Sequence, residues 1–297
     1  MNRRRFLQTG GALGAATLLS AAPLSQDRDP RFPMGLQLFS IHDAMTDDAV
    51  ASLGAIAKMG YRDVEIFGFD GDRGTFYDRP AAEFRTLLDD HGLTASSGHF
   101  GFASYLYRPA DEMTAFVDQC IRGARTLGLS YIAWPWMAPE QRTAATFEFL
   151  PDLLNSIGAR VRAAGLGFAY HNHGFEFEPI NGRVPFDGIA KKTDPGLVEL
   201  ELDMYWLIRS SDLTPRQMVD RYPGRVTLWH VKDMDKKTED YTELGRGSID
   251  YPNLLPDPDR SGLKFCYVEQ GGNFASSSLE SAATNARYYK KHLQRFL

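Results

Sequence analysis

Cysteine is scarce: Cys120 and Cys266 are the only two in 297 residues. So low a count excludes a disulfide-stapled scaffold, and their wide separation lacks the spacing of a zinc knuckle. Cys120 falls in a helical stretch and Cys266 in an apolar run, and both read as buried thiols. An oxidising compartment permits a disulfide between them, but nothing in the sequence shows that they meet. Charge of one sign is lacking too. The formal net charge is -5 and the basic residues are scattered, which excludes the footprint of a phosphate-backbone binder and sets nucleic acid aside as a partner. No low-complexity tract, long linker or shift in composition marks an internal domain boundary. Gln37-Leu38-Phe39-Ser40-Ile41-His42 contains no glycine-rich phosphate turn, which an open, doubly wound nucleotide-binding sheet needs after its first strand.

The N-terminus is more informative. Asn2-Arg3-Arg4-Arg5-Phe6-Leu7 is followed by an uncharged stretch from Thr9 to Ser25 with Leu13, Leu18 and Leu19, a charged region and then an apolar one. The stretch is rich in Gly and Ala and too weakly hydrophobic for a permanent span. Arg3-Arg4-x-Phe-Leu resembles the twin-arginine export signal, which implies passage of a folded protein out of the cytoplasm to a periplasmic or otherwise exported address. A general secretory leader or an uncleaved anchor is the alternative. Ser20-Ala21-Ala22 is the nearest small-residue triplet, with Pro23 after it. Residues 1–30 are therefore read as a signal peptide and 31–297 as one domain with no stable membrane span after processing. That length suits an α/β barrel, which needs about 250 residues.

One local phrase recurs seven times. A helical-looking segment ends at a glycine (Gly60, Gly92, Gly128, Gly165, Gly196, Gly224, Gly262) and an apolar run follows within a few residues. Glycine suits the left-handed position just past a helix. The runs are Asp63 to Phe67, Thr94 to His99, Tyr131 to Trp134, Gly167 to His171, Val198 to Asp203, Val226 to Val231 and Lys264 to Glu269; Gly35 to Ser40 makes eight. Their spacing of roughly 28 to 38 residues is one βα unit. The prediction is an α/β fold, a single (β/α)8 TIM barrel. Thr46-Asp47-Asp48 caps a helix with Val50, Leu53, Ile56 and Ala57 on one face, and Pro109, Pro139 and Pro151 stand near helix starts.

In such a barrel the polar residues at strand C-terminal ends build the active site. Strand five ends in His171-Asn172-His173-Gly174-Phe175-Glu176, strand six in Glu201-Leu202-Asp203, strand seven in His230-Val231-Lys232-Asp233 and strand eight in Val268-Glu269-Gln270. Side chains alternate along a strand, so His171 shares a face with His173, and His230 with Lys232. With level strand ends, His171, Asp203, His230 and Glu269 converge. A mixed imidazole and carboxylate set suits Mn, Co, Zn, Fe or Ni better than Ca or Mg, with availability deciding among them.

The chain resembles the sugar phosphate isomerase/epimerase family, the xylose isomerase-like barrels, from about Gly35 to the C-terminus. The phrases that carry this are Gly35-Leu36-Gln37-Leu38-Phe39-Ser40, Tyr170-His171-Asn172-His173-Gly174-Phe175-Glu176-Phe177, Glu201-Leu202-Asp203-Met204-Tyr205-Trp206, His230-Val231-Lys232-Asp233, Gly245-Arg246-Gly247-Ser248-Ile249-Asp250-Tyr251 and Val268-Glu269-Gln270. The resemblance implies one divalent metal ion (Mn, Co, Zn, Fe or Mg) on Asp203, His230 and Glu269, with a fourth ligand from strand five. In the ketose epimerases that fourth ligand is a Glu; here His171 stands there, with His173 and Glu176 as rivals. A His-rich fifth strand is similar to the inosose dehydratase branch and to barrels acting on 3-keto-glycosides by elimination.

Glu269, His173 and Glu176 are the candidate bases for removing a proton beside a metal-held oxygen. Lys232 is a cation toward the developing oxyanion, the acid that protonates a leaving oxygen, or an ion-pair partner of Asp233. Glu201 is a candidate for orienting the imidazoles. Glu65, His99, Trp136 and Trp206 are candidate substrate contacts, and Trp134 and Phe67 read as packing. The leading expectation is a metal-dependent sugar isomerase or epimerase acting on a small-molecule sugar or keto-sugar. The alternatives are a lyase or dehydratase on keto-sugars such as 3-keto-glycosides or inososes, and a non-catalytic sugar-binding barrel. Two- or three-metal hydrolases need more His ligands than seven His supply. Homo-oligomerisation stays open.

Overall fold

A computed structural model describes residues 31–297; the signal-peptide reading of 1–30 lies outside the described residues. Eight strands form one parallel sheet: β1 Gly35–Gln37, β2 Asp63–Ile66, β3 Thr94–Gly98, β4 Tyr131–Trp134, β5 Gly167–His171, β6 Glu199–Asp203, β7 Val226–Val231 and β8 Phe265–Val268. Their order is β3-β2-β1-β8-β7-β6-β5-β4. The ring closes between the outermost two through the parallel bridge His99↔Ala133, flanked by the Ser130 N–H donating to Ser96 O (2.8 Å) and the Phe100 N–H to Ala133 O (3.1 Å). The predicted single (β/α)8 barrel is thus present, several strands ending one to three residues earlier than their apolar runs.

The strands are Val-, Ile- and aromatic-rich and buried on both faces, as parallel sheets covered by helices require. The outer layer is α1 Ala49–Met59, α2 Ala81–Asp90, α3 Ala110–Leu127, α4 Ala144–Ala163, α5 Pro185–Lys192, α6 Met204–Ser210, α7 Pro215–Arg221 and α8 Ser278–Tyr288, with shorter helical turns between. The main apolar core lies between sheet and helices. Tyr131, Ala133, Ala169 and Leu228 form a second, small cluster with Phe265. Ala169 and Leu228 sit two residues before His171 and His230 on the same strand faces, so this cluster plugs the barrel beneath the polar residues.

The local rules explain most joints. Asp48 caps α1, accepting from the Ala51 N–H at 3.0 Å, and Leu53 and Ile56 are buried while Val50 stays 42% exposed, off the expected face. Six of the seven glycines have positive φ. Gly196 does not, because α5 ends at an extended Thr193 and the Gly196 N–H donates to Asp194 Oδ1 (2.7 Å) in a side-chain turn. Pro151 lies inside α4, which starts at Ala144 behind the Thr143 cap. The helix runs through it, forgoing the bond to the Phe147 carbonyl that a proline cannot make. Cys120 and Cys266 are both buried and free.

Candidate active site

Asp203 ends β6 and also caps α6: its Oδ1 accepts the Trp206 N–H at 3.1 Å, leaving Oδ2 turned to the barrel mouth. Asn172 clamps this corner, accepting from the Asp203 N–H (3.0 Å) and donating to the Asp203 carbonyl (3.2 Å). The Lys232 backbone is pinned at both polar groups by the Tyr251 hydroxyl (3.1 and 2.5 Å). With the corners fixed, His171, Asp203, His230 and Glu269 each offer an atom within 4.8 Å of the others, and all four are buried. Lys232 Nζ lies 2.6 Å from Asp203 Oδ2 and 2.7 Å from Glu269 Oε2. Burial alone drives the Glu269 carboxyl upward, but the charges of Lys232 and His230 hold it well below the usual range. Burial raises Asp203, with Lys232 opposing.

A second tier lies one alternation deeper. His230 presents Nδ1 to Glu269 Oε2 (2.6 Å) and Nε2 to Glu65 Oε2 (2.6 Å) and Glu201 Oε1 (3.2 Å). His171 faces Glu201 with Nδ1 (3.3 Å) and Asp203 with Nε2 (3.8 Å). His99 Nε2 contacts Glu201 (2.8 Å) and Glu65 (3.2 Å), and Gln37 donates to Glu65 Oε2 (2.7 Å). Each central imidazole therefore has one nitrogen on a deep carboxylate and the other toward the mouth, the arrangement by which outer carboxylates orient metal-binding histidines. Desolvation works against a charge on His230, yet Glu201, Glu65 and Glu269 raise its pKa well above normal. For His99 the same balance ends at about 9. Burial and the neighbouring His230 push His171 well below its ordinary value, keeping a lone pair free.

His173, also driven down by burial and Lys232, borders a mouth cavity of about 650 Å³ together with Trp136, Trp206, Lys232, Tyr241 and Glu269. Glu176 does not join the cluster. Its Oε1 accepts from Tyr170 (2.9 Å) and its Oε2 from the His173 N–H (2.8 Å), and burial raises its pKa to about 8. It therefore holds the loop that carries His173. Glu65 likewise supports the imidazoles from below and does not line the cavity, whereas His99 does. Asp233 is not the partner of Lys232. Its carboxylate takes the N–H groups of Met234 (2.8 Å), Gly245 (2.8 Å), Gly247 (3.1 Å) and Ile249 (3.1 Å).

The donor set fits a divalent cation. An ammonium, Lys232 Nζ, bridges the two mouth carboxylates, and Glu65 Oε1 beneath the imidazoles is buried without a hydrogen-bond partner among the described residues.

Residues 53–269 match the pattern described as the xylose isomerase-like TIM barrel. The chain belongs to this family. Residues 1–20 match the twin-arginine translocation signal sequence, so this xylose isomerase-like barrel is exported by that pathway. Among solved structures, a sugar phosphate isomerase/epimerase from Parabacteroides distasonis ATCC 8503 is 26% identical, with 91% of this chain and 97% of that chain covered and a TM-score of 0.76. A xylose isomerase-like TIM barrel protein from Mycobacterium smegmatis in complex with magnesium is 19% identical (90% and 98% covered, TM-score 0.64). A D-allulose 3-epimerase from Methylomonas sp. in complex with D-allulose is 12% identical (89% and 98%, TM-score 0.65). No curated protein matches the chain. No helix among the described residues is long and apolar enough to cross a membrane.

Proposed function

We propose that the mature chain, from about residue 31 onward, is a divalent-metal-dependent sugar isomerase or epimerase that moves a proton on the carbon beside a carbonyl or hydroxyl oxygen. The observation that carries this is the gathering of His171, Asp203, His230 and Glu269 within 4.8 Å under an aromatic-walled cavity of about 650 Å³, a size suited to a small polar ligand. The 26% identical sugar phosphate isomerase/epimerase and the magnesium-bound and D-allulose-bound barrels support the same reading.

His171, Asp203, His230 and Glu269 would hold the ion, and a mixed N/O set favours Mn, Co, Zn or Fe, with Mg kept by availability. A divalent cation bound there supplies Lewis-acid polarisation of an adjacent substrate oxygen. The side chains do the rest. His173, uncharged and with an Nδ1 lacking a partner among the described residues, receives a proton from the substrate carbon. Lys232 donates hydrogen bonds to the oxygen that gains charge. Glu269, paired with Lys232, would also be a ligand of the ion, and Trp136 and Trp206 offer faces to the apolar side of a sugar ring.

Elimination from a keto-sugar is the second reading, favoured by one observation. Of the strand-end residues that line the cavity, Glu269 is the single carboxylate, and His173 and Lys232 stand with it, a base and an acid able to remove a proton and protonate a departing oxygen.

The test is incubation of the Mn-loaded chain in deuterated water with ketohexoses, inososes and 3-keto-glucosides. Deuterium incorporation without an unsaturated product, abolished by chelation, is expected. An unsaturated product moves the assignment to a lyase. Sugar binding with neither outcome makes the barrel a binding protein and ends the proposal.

A further inference from the structure

A second hollow of about 460 Å³ opens beside the mouth cavity and shares Trp136, His173 and Trp206 with it. Two aromatic residues and a histidine thus form a common wall, so a molecule filling the first space reaches the second across them. The annex also contains Phe175, Arg142, Arg209, Glu178 and Glu239. Its construction is specific. The Arg142 guanidinium lies over Phe175 (4.0 Å) and Trp136 (5.2 Å), and that of Arg209 over Trp206 (5.4 Å). Gly174 is the reason the wall closes so tightly: a Cβ there would meet Ser210 Oγ and Trp206 Cε3.

The chemistry indicates the occupant. A guanidinium over an aromatic ring keeps N–H groups for acceptors beside the ring; Arg142 gives its Nε–H to the Met137 carbonyl (3.0 Å), and its terminal N–H groups remain. No ion pair joins Arg142 or Arg209 to Glu178 or Glu239 among the described residues, so donors and acceptors of both signs face the same space. Balanced charge disfavours a phosphate or a carboxylate, which would meet two carboxylates as well as two arginines. Alternating donors and acceptors beside exposed aromatic faces match a neutral ring bearing many hydroxyls.

We infer that the annex is a second sugar subsite, and that the substrate is a disaccharide or other glycoside whose reacting ring lies over the His171–Asp203–His230–Glu269 cluster while its second ring occupies the annex. This rests on the sugar-enzyme reading of the mouth cavity. It makes Arg142, Arg209 and Glu239 specificity-determining residues remote from the reacting carbon.

The test is calorimetric titration of the full Mn-loaded chain with cellobiose, maltose, sucrose and trehalose against glucose, followed by deuterium exchange in the same samples. At least one disaccharide is expected to bind about tenfold or more tighter than glucose. In Arg209→Ala/Glu239→Ala, both exposed positions, that preference should fall below about twofold. Ser210→Phe, which fills the hollow instead of stripping it, should do the same. Equal affinity for all sugars in the wild type overturns the inference, as does a preference that survives both variants. Exchange without ring-number preference leaves the enzyme reading standing and removes the annex. Arg209-dependent disaccharide binding without exchange upholds the annex and removes the enzyme reading.

Discussion

Lys232 Nζ lies 2.6 Å from Asp203 Oδ2, with both side chains almost wholly inaccessible. The same ammonium reaches Glu269 at 2.7 Å, so one lysine neutralises two carboxylates where the divalent ion is proposed to bind. In Lys232→Met the metal-free chain must bury two carboxylates lacking that countercharge. Breaking such a buried pair costs about 3–5 kcal/mol. The metal-free variant should therefore unfold at lower denaturant, and Mn should restore more stability to it than to the wild type. Equal metal-induced gains in the two proteins, read from urea melts with and without chelator, would mean that lysine and ion do not share these oxygens.

Glu201 has no place at the cavity surface, yet it contacts His99, His171 and His230. Glu201→Gln keeps the volume and removes the charge that orients the imidazoles. Affinity for Mn should fall by roughly 10- to 100-fold, the usual effect of losing an outer-shell partner. Calorimetry decides the point, and an unchanged dissociation constant assigns Glu201 to packing alone.

Asp63 provides a pH signature away from the cluster. Burial lifts its pKa to about 7, against hydrogen bonds from Ser96 and Thr94. Between the ordinary carboxylate value, about 4, and 7, the folded chain binds a proton that the unfolded chain has lost. Its contribution to stability is thus full at low pH and declines as pH rises through that window. Asp63→Asn removes the dependence. The variant should gain stability relative to the wild type between pH 5 and pH 8, and parallel pH profiles for the two proteins in denaturant melts would contradict this.

Asp233 predicts a loop defect. Four backbone N–H groups converge on its carboxylate, and each buried donor left unpaired costs about 1–3 kcal/mol. Asp233→Ala should release the 245–249 segment and speed tryptic cleavage after Arg246, whose side chain is exposed. Gly247→Ala should act alike, because its Cβ would strike Asp233 Oδ1 and the Met234 carbonyl. Wild-type cleavage rates in both would show that the segment is held by other contacts.

The barrel was legible because βα units repeat a strong local signal: a left-handed glycine and then a buried run. That signal misled at Gly196, where a short Asp194 side-chain turn does the same work; the separate helix-start rule misled at Pro151, which lies inside α4. The candidate residues at strand ends could be named because strand alternation is a rigid geometric rule, and His171, Asp203, His230 and Glu269 do gather in one place. It also pointed to Glu176, because spacing cannot show that the loop curls back and spends that carboxylate on Tyr170 and the His173 N–H. The partner of Lys232 was open for the same reason: adjacency in sequence cannot show that the Asp233 carboxylate is spent on four backbone N–H groups. Tyr241 and Arg142 lie in the segments that connect strands and helices, and Arg209 in the last turn of the short α6; no local pattern marks them.

The ring of strands is stitched most thinly at the seam between β3 and β4, and His99 sits in that stitch. The residue whose backbone fastens the seam to Ala133 also places its imidazole on Glu201 and at the edge of the mouth cavity. Whatever occupies the mouth consequently pulls on, or steadies, the joint by which the cylinder is shut. Occupancy becomes readable far from any ligand, as slower amide exchange at Phe100 and Ser130.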